Sequence, residues 1–359
     1  PGRTRVQLPP VPCRSVKMQI GGSRWEIRLD DYVSSLDVDP NGELVAVGSL
    51  AGDVCVIDIE SGTIVARLND HPLGALAIAW SHDGDRVAVG GQDAIVRIYD
   101  RSGTELSAVS GEGWAHRLAW SPTDELLAIG AGRQLVLTDR DGAVVRRHDD
   151  VASPITEVVW SADGRRVGAA AYGGVAWFDP ADDATAPRRI HTRQGSILAL
   201  ALSPDGKWAC GGAQDASIQI WKLWSGDELA MSGYDAKVER MAFSDDGQWL
   251  ACACLGEMSW WDFSGKGPRR RAPATGDAHT KHVESIAWRL GGDVLVTGGA
   301  DGRLALWRAP SRPGQTLRPD HTDDGPGGVS QVAWHPDGAS VLAGRDDGTV
   351  ERRAIAGEH

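Results

Sequence analysis

The stretch "WSHDGDRVAVGGQDAIVRIYD" (80–100) returns in altered form along the chain, and that periodicity limits the fold more than any other feature. The short turn after each unit's first strand reads "DPNG" at 39–42, "SHDG" at 81–84, "SPTD" at 121–124 and "SADG" at 161–164. It continues as "SPDG" at 203–206, "SDDG" at 244–247, "RLGG" at 289–292 and "HPDG" at 335–338, always 40 to 46 residues on. Such a period marks repeated supersecondary units and overrides the two or three domains that 359 residues would otherwise suggest.

Each unit has one internal grammar. A first strand ends in a large residue: Val38, Trp80, Trp120, Trp160, Leu202, Phe243, Trp288 or Trp334. The turn follows, with Gly or Asn able to take the positive φ of a hairpin. A second strand ("RVAVGG"), a Gly-rich turn, a third strand ("IVRIYD") and a second turn ("RSG") lead to a fourth strand ("TIVARL" in the first unit). Runs of four to seven residues rich in β-branched types favour strand over helix. One such sheet cannot bury both faces alone; stacked radially, the sheets cover each other as a β-propeller.

The residues also carry a family resemblance. "HTKHVESIAWRLGGDVLVTGGADGRLALW" (279–307) resembles the WD-repeat signature. That resemblance implies a structural hydrogen-bonded relay of His279, Thr297, Asp301 and Trp307. In other units it places Asp93 and Tyr99, with His71, and His191, Asp215 and Trp221. Ala51, Gly132, Tyr172 and Leu255 stand where the Asp belongs, and the eighth unit has Asp347 but Arg353 in place of Trp. The relay is a refinement: a net hydrogen bond contributes about 1 kcal/mol, whereas each buried large apolar side chain contributes about 1.5–3 kcal/mol.

The expected architecture is an all-β, eight-bladed propeller of four-stranded antiparallel blades, with seven blades and one degenerate unit outside as the alternative. The last unit lacks a fourth strand, and "RWEIRL" (24–29) is surplus at the start, so this N-terminal strand is expected to complete the last blade. Residues 1–23 are then an N-terminal arm and 24–359 a single propeller domain.

Net charge is −12, which opposes sequence-independent nucleic-acid binding. No apolar run approaches the roughly 18 residues of a membrane span, and "PGRTRVQLPPVPC" has no apolar signal-peptide core. Five cysteines, four of them in apolar strands, read as reduced thiols of a cytoplasmic protein. The Ala-, Gly- and Arg-rich composition points to a bacterial origin.

In the WD-repeat family, partner contacts gather where the inner strands start. Counting back four and six residues from the residue ending each first strand gives Tyr32 and Ser34, Trp114 and His116, Lys237 and Glu239, and His282 and Glu284; other units offer small or apolar residues there, such as Ser330. Aromatics ringed by polar groups suit protein recognition. The bland reading of Trp114 is packing into its own "SGEGWAH" loop.

Cys252 and Cys254 share one strand face and, with His279 or His282, offer a weak thiolate–imidazole metal site; small buried residues are the plainer reading. "PDHTDD", with Asp320, His321, Asp323 and Asp324, reads as a solvated loop or an oxygen-ligand cluster. Arg269, Arg270 and Arg271 in "GPRRRAPA" are placed on an outer strand, as a protected edge or an acidic partner's contact. No nucleophile-elbow, zincin or phosphate-loop motif occurs, no cofactor is expected, and the inner strands read as small and apolar.

The expectation is a non-catalytic scaffold holding one or more protein partners, without nucleic acid or membrane. Phrases such as "AAAYGGVAWFD" and "WDFSGKGP" resemble a bacterial single-domain WD-repeat group linked to metal-chaperone GTPases, which makes an accessory role in zinc or cobalt homeostasis one alternative. A propeller enzyme with a channel site is the other.

Overall fold

Alternating apolar residues and Gly-bearing turns give the chain its short strands. The computed structural model describes residues 17–149, 151–223 and 225–357. Among them the chain forms 31 strands and no helix. The turns follow the sequence grammar: Gly84, Gly206 and Gly338 have φ of 74°, 67° and 70°. The third unit puts Asp124 there at φ 56°, and its carboxylate accepts the His82 and Asp83 N–H groups at 2.8 Å each.

The innermost strands touch in cyclic order. They are Val33–Val38, Ala75–Trp80, Ala115–Trp120, Glu157–Trp160, Arg189–Leu202, Arg240–Phe243, Val283–Trp288 and Val329–Trp334, which returns to the first. Hydrogen bonds assemble the described strands into seven sheets, and this corrects the expected count of eight. The fourth and fifth units do not form separate sheets. Arg189–Leu202 runs unbroken, pairing through its first half with Val167–Phe178 and through its second with Trp208–Ala213. The segment 193–196 leaves no separating loop, so one six-stranded sheet results. Counted by continuous sheets the propeller is seven-bladed, and no unit is left outside it. Five sheets are four-stranded; another gains a fifth strand where Thr316–Leu317 pairs in parallel with Ala274–Asp277.

The N-terminal strand Gln19–Arg28 lies outermost on the last sheet, antiparallel to Thr349–Ala356. It begins ahead of Arg24, so 19–23 are sheet and not arm; residues 1–16 of the expected arm lie outside the described residues. Polar fasteners then tie this last sheet to the first. Ser330 Oγ donates to Val33 O at 2.7 Å and Gln331 Nε2 to Ser34 O at 2.9 Å. His335 Nε2 donates to Gly42 O at 2.8 Å, and buried Arg352 donates to Ile59 O and Glu60. The basic run 267–274 is turn and loop rather than strand, apart from Ala274, because Arg270 takes φ 60° and Arg271 folds back onto Asp262 and Ser264.

The Trp residues ending the inner strands act between sheets. The indole N–H of Trp120 donates to Ala79 O, Trp160 to Ala119 O, Trp288 to Ala242 O and Trp334 to Ala287 O, at 2.9 to 3.0 Å. Each joins one unit to the unit before it while the ring fills the gap between sheets. Trp80 is the exception: its buried Nε1 has no partner, and the Asp37 carboxylate instead accepts its backbone N–H at 2.7 Å. Trp160→Phe should therefore cost about 1 kcal/mol more than Trp80→Phe in urea unfolding, the worth of one net hydrogen bond; equal costs would show that the indole bond contributes nothing.

Candidate functional site

Six inner strands carry a β-bulge at the same place. The pairing register slips between Val33 and Ser35, Ala75 and Ala77, Ala115 and Arg117, Ile197 and Ala199, Val283 and Ser285, and Val329 and Gln331. The extra residue is the one four positions before the strand-ending residue: Ser34, Leu76, His116, Leu198, Glu284 or Ser330. A bulge turns its side chain out of the pleat. Here it brings two consecutive residues toward the axis, where a cavity of about 480 Å³ forms the mouth of the central channel.

Ser34, His116, Glu239 and Glu284 line this mouth, together with Tyr32. Trp114, Lys237 and His282 do not. The residues one further along also line it: Arg117, Glu157, Arg240 and Gln331. Counting by fours and sixes misses them; for Arg117 and Gln331 the signal that finds them is the bulge, which makes the third position before the strand end face the axis too, whereas Glu157 and Arg240 open their strands without one.

The expected small, apolar channel is thereby corrected at its mouth, which is charged and cross-braced. Arg117 Nε lies 3.3 Å from Glu157, Arg240 Nη2 lies 3.6 Å from Glu284, and Lys237 Nζ lies 2.8 Å from Glu239. Burial, with Glu284 nearby, raises the Tyr32 hydroxyl above its ordinary value. Further along the first inner strand, burial pushes the Asp37 carboxyl up to about 7. Hydroxyls four positions before the strand-ending residue fasten neighbouring units: Ser34 Oγ donates to Ala75 O at 2.5 Å and Thr156 Oγ1 to Ile197 O at 2.6 Å. Ser34 is thus committed to the ring.

Exposed apolar side chains stand around this mouth. Trp114 is 58% exposed on the loop before its strand, so it does not pack into that loop, and its carbonyl accepts from His116 Nδ1 at 3.0 Å. Leu50, Leu73 and Leu255, on turns, and Tyr172, within the strand Val167–Phe178, are also exposed.

Below the loops, Trp307 Nε1 donates to Thr297 Oγ1 at 3.1 Å. The Thr297 hydroxyl donates to His279 Nε2 at 2.7 Å, and His279 Nδ1 donates to Asp301 at 3.1 Å. Asp301 also accepts the Thr280 N–H at 2.7 Å. Asp93 similarly holds buried His71, at 2.9 Å, and Arg97. The fifth unit is built differently. Asp215 binds Arg193 and Ser217 rather than His191. His191 accepts the Trp177 indole N–H at 2.9 Å and stacks on Trp221, whose Nε1 has no partner. In the eighth unit, which lacks the Trp, ion pairs link Arg345, Glu351, Arg353 and Asp323.

The metal candidates separate. Cys252 is fully buried beside Tyr234 and Ser259, and burial raises its thiol far above the ordinary value. Cys254 Sγ donates to Ala236 O at 3.3 Å, and burial raises it too. Among the described residues no three His, Cys, Asp or Glu side chains are placed to hold a metal ion, and His279 is engaged at both ring nitrogens. The acidic cluster is also dispersed: Asp320 pairs with Arg308, Asp323 with Arg353 and Asp324 with Arg303, while His321 Nδ1 accepts the Ile20 N–H.

Thr297→Val leaves His279 Nε2 and the Trp307 indole buried without partners and should cost about 2–3 kcal/mol in urea unfolding; a cost below about 0.5 kcal/mol would show that the relay is idle. His191 offers a pH test. Burial, then Arg189, lowers it from 6.5 to about 4, so between those values the unfolded chain binds more protons than the folded one. Folding free energy is then lost as pH falls from about 6.5 toward 4. His191→Asn keeps an acceptor for Trp177 and should flatten that part of the stability–pH curve, measured as urea midpoints at pH 7, 5.5 and 4.5; an unchanged curve would contradict this assignment.

Comparison with known proteins accords with this geometry. The family described as "WD domain, G-beta repeat" (WD40) matches residues 62–100, 187–222, 228–262, 273–308 and 313–351, just over half of the chain. WD repeat-containing protein slp1 of Schizosaccharomyces pombe is 25% identical over 200 residues, covering 53% of this chain and 41% of its own length. Cell division cycle 20.1, cofactor of APC complex, of Arabidopsis thaliana is 27% identical over 209 residues, 53% of this chain and 45% of that protein. The chain thus spans less than half the length of these relatives, both eukaryotic. The crystal structure of the C-terminal WD40 domain of Sif2 superposes with a TM-score of 0.78 at 15% identity, over 94% of this chain and 99% of that one, a likeness of fold. With the repeat, the radial sheets and the family match together, the chain belongs to the WD40-repeat β-propeller family.

Proposed function

We propose that the protein is a non-catalytic scaffold that holds a protein partner on the face where the inner strands begin. The observation that carries this reading is Trp114, an aromatic 58% exposed beside the charged channel mouth through its link to His116. Large exposed aromatics next to polar groups are the anchors of protein interfaces. Leu50, Leu73 and Tyr172 extend the apolar contact over neighbouring units, and Tyr32, His116, Glu239 and Glu284 supply polar groups at its inner edge. The sheet ring holds these loops in place before binding, which limits the ordering entropy a partner must overcome. A relative named as a cofactor of the APC complex works within a protein assembly, which fits the same kind of role.

The mouth residues favour this reading over a channel enzyme because Arg117, Glu157, Arg240 and Glu284 are committed to ion pairs with one another. The scattered Cys252 and Cys254 surroundings give little support to metal handling. Trp114→Ala/His116→Ala should lose the partner recovered by pull-down from native extract, with a nearly unchanged melting temperature because Trp114 is exposed and the ring of half-buried His116 bonds only the carbonyl of Trp114. Retention of the partner by the folded variant would move the interface elsewhere on the propeller.

A further inference from the structure

A second concave surface lies across the channel from Trp114, where the loop 232–235 meets the hairpin of Trp249–Cys254 and Glu257–Asp262. Two adjoining cavities of about 200 and 260 Å³ share Asp235, Cys254 and Glu257. One wall is aromatic and rigid, since Tyr234 OH is fixed by Ser259 at 2.9 Å and by the Trp261 indole at 2.7 Å. At the hairpin tip Leu255 is 43% exposed.

The charges along this groove are unbalanced. Glu257 stands directly opposite Asp277 in the pairing register, so two carboxylates share one face of neighbouring strands. Like charges directly opposite destabilise a sheet. Among the described residues no lysine or arginine nitrogen lies within 4.0 Å of Asp235, Glu257 or Asp277. The nearby Arg303 is taken by Asp324 and by Ala278 O. The carboxylates do not converge on a point as metal coordination requires; they are strung along the groove beside apolar side chains.

We propose that this groove docks a basic segment of a protein, a short stretch in which lysine or arginine alternates with apolar residues. Its aliphatic stems lie along Leu255 and Tyr234, as long cationic side chains do on apolar surface, and its charged ends reach Asp235, Glu257 and Asp277. The net charge of −12 attracts such a segment at long range. This surface is separate from the Trp114 patch and does not depend on it.

The test uses the fluorescein-labelled hexapeptide Lys-Leu-Arg-Leu-Lys-Leu and fluorescence anisotropy on the full chain. Glu257→Gln/Asp277→Asn should weaken binding by about fivefold or more, in line with the loss of two rim charge contacts. It should leave the melting temperature equal or higher, because it removes a like-charge pair. Leu255→Gly should also weaken binding. Asp85→Asn/Glu125→Gln makes the same charge change on exposed turns at the opposite end of the strands and should leave affinity unchanged. The proposal is overturned if both double variants weaken binding equally, if neither does, if the Gln-Leu-Gln-Leu-Gln-Leu peptide binds as well, or if spermine displaces the probe as effectively as unlabelled peptide.

Discussion

The structure depends on hydrogen bonds that leave one unit and end on the backbone of the next. A sheet in a propeller gains most of its stability by covering its neighbour, but apolar packing is non-directional and sets no register between sheets. The indole N–H groups of Trp120, Trp160, Trp288 and Trp334 supply that register at one end of the inner strands. Ser34, Thr156 and Ser330 supply it nearer the other. Where an indole bond is missing, as at Trp80, the half-buried Asp37 carboxyl accepts the backbone N–H. The joint between the last sheet and the first has no donor at Val38 and is held instead by other polar side chains, with Gln331, His335 and Arg352 all reaching across it.

The same registration positions the functional face. Because the bulge recurs at one place in six inner strands, residues far apart in the chain arrive at one depth in the channel mouth. Arg117 and Glu284, both at a bulge, are then close enough to pair with Glu157 and Arg240, which stand on the two strands without a bulge. Outside that ring the side chains are unconstrained by closure and are free to differ. Units one to four present Leu50, Leu73, Trp114 and Tyr172, while the sheet of Glu257 presents carboxylates around Leu255. Two chemically different surfaces on one face follow from a single repeated backbone.

Much of this was legible in the sequence because repetition averages out local ambiguity. The turns, the strand-ending Trp residues and the N-terminal strand joining the last sheet follow from spacing alone. The count of sheets did not, because it depends on whether a loop interrupts pairing, and 193–196 continues as strand although it reads like its counterparts elsewhere. Asp215 shows a related limit: it sits at the family position, yet Arg193 is nearer and takes it from His191. Arg117, Glu157 and Arg240 were hidden because strict alternation from the strand end assigns them away from the axis; a bulge reverses that for Arg117, while Glu157 and Arg240 are the first residues of short strands and fall outside the alternation. The exposure of Trp114 was open in the sequence, where loop packing and solvent exposure look alike.

The central claim is that a rigid ring presents one face to a partner. It is tested most directly by hydrogen exchange of the backbone amides, measured for the free protein and for its complex with the partner recovered from extract. The account predicts slowed exchange confined to the loops and turns at residues 30–32, 71–74 and 111–114 and to the exposed strand segment 171–174, with the inner strands already protected in the free protein. The turns at 81–84, 203–206 and 335–338 should not change. Protection centred on those turns or on the outer strands, or inner strands that become protected only on binding, would contradict it.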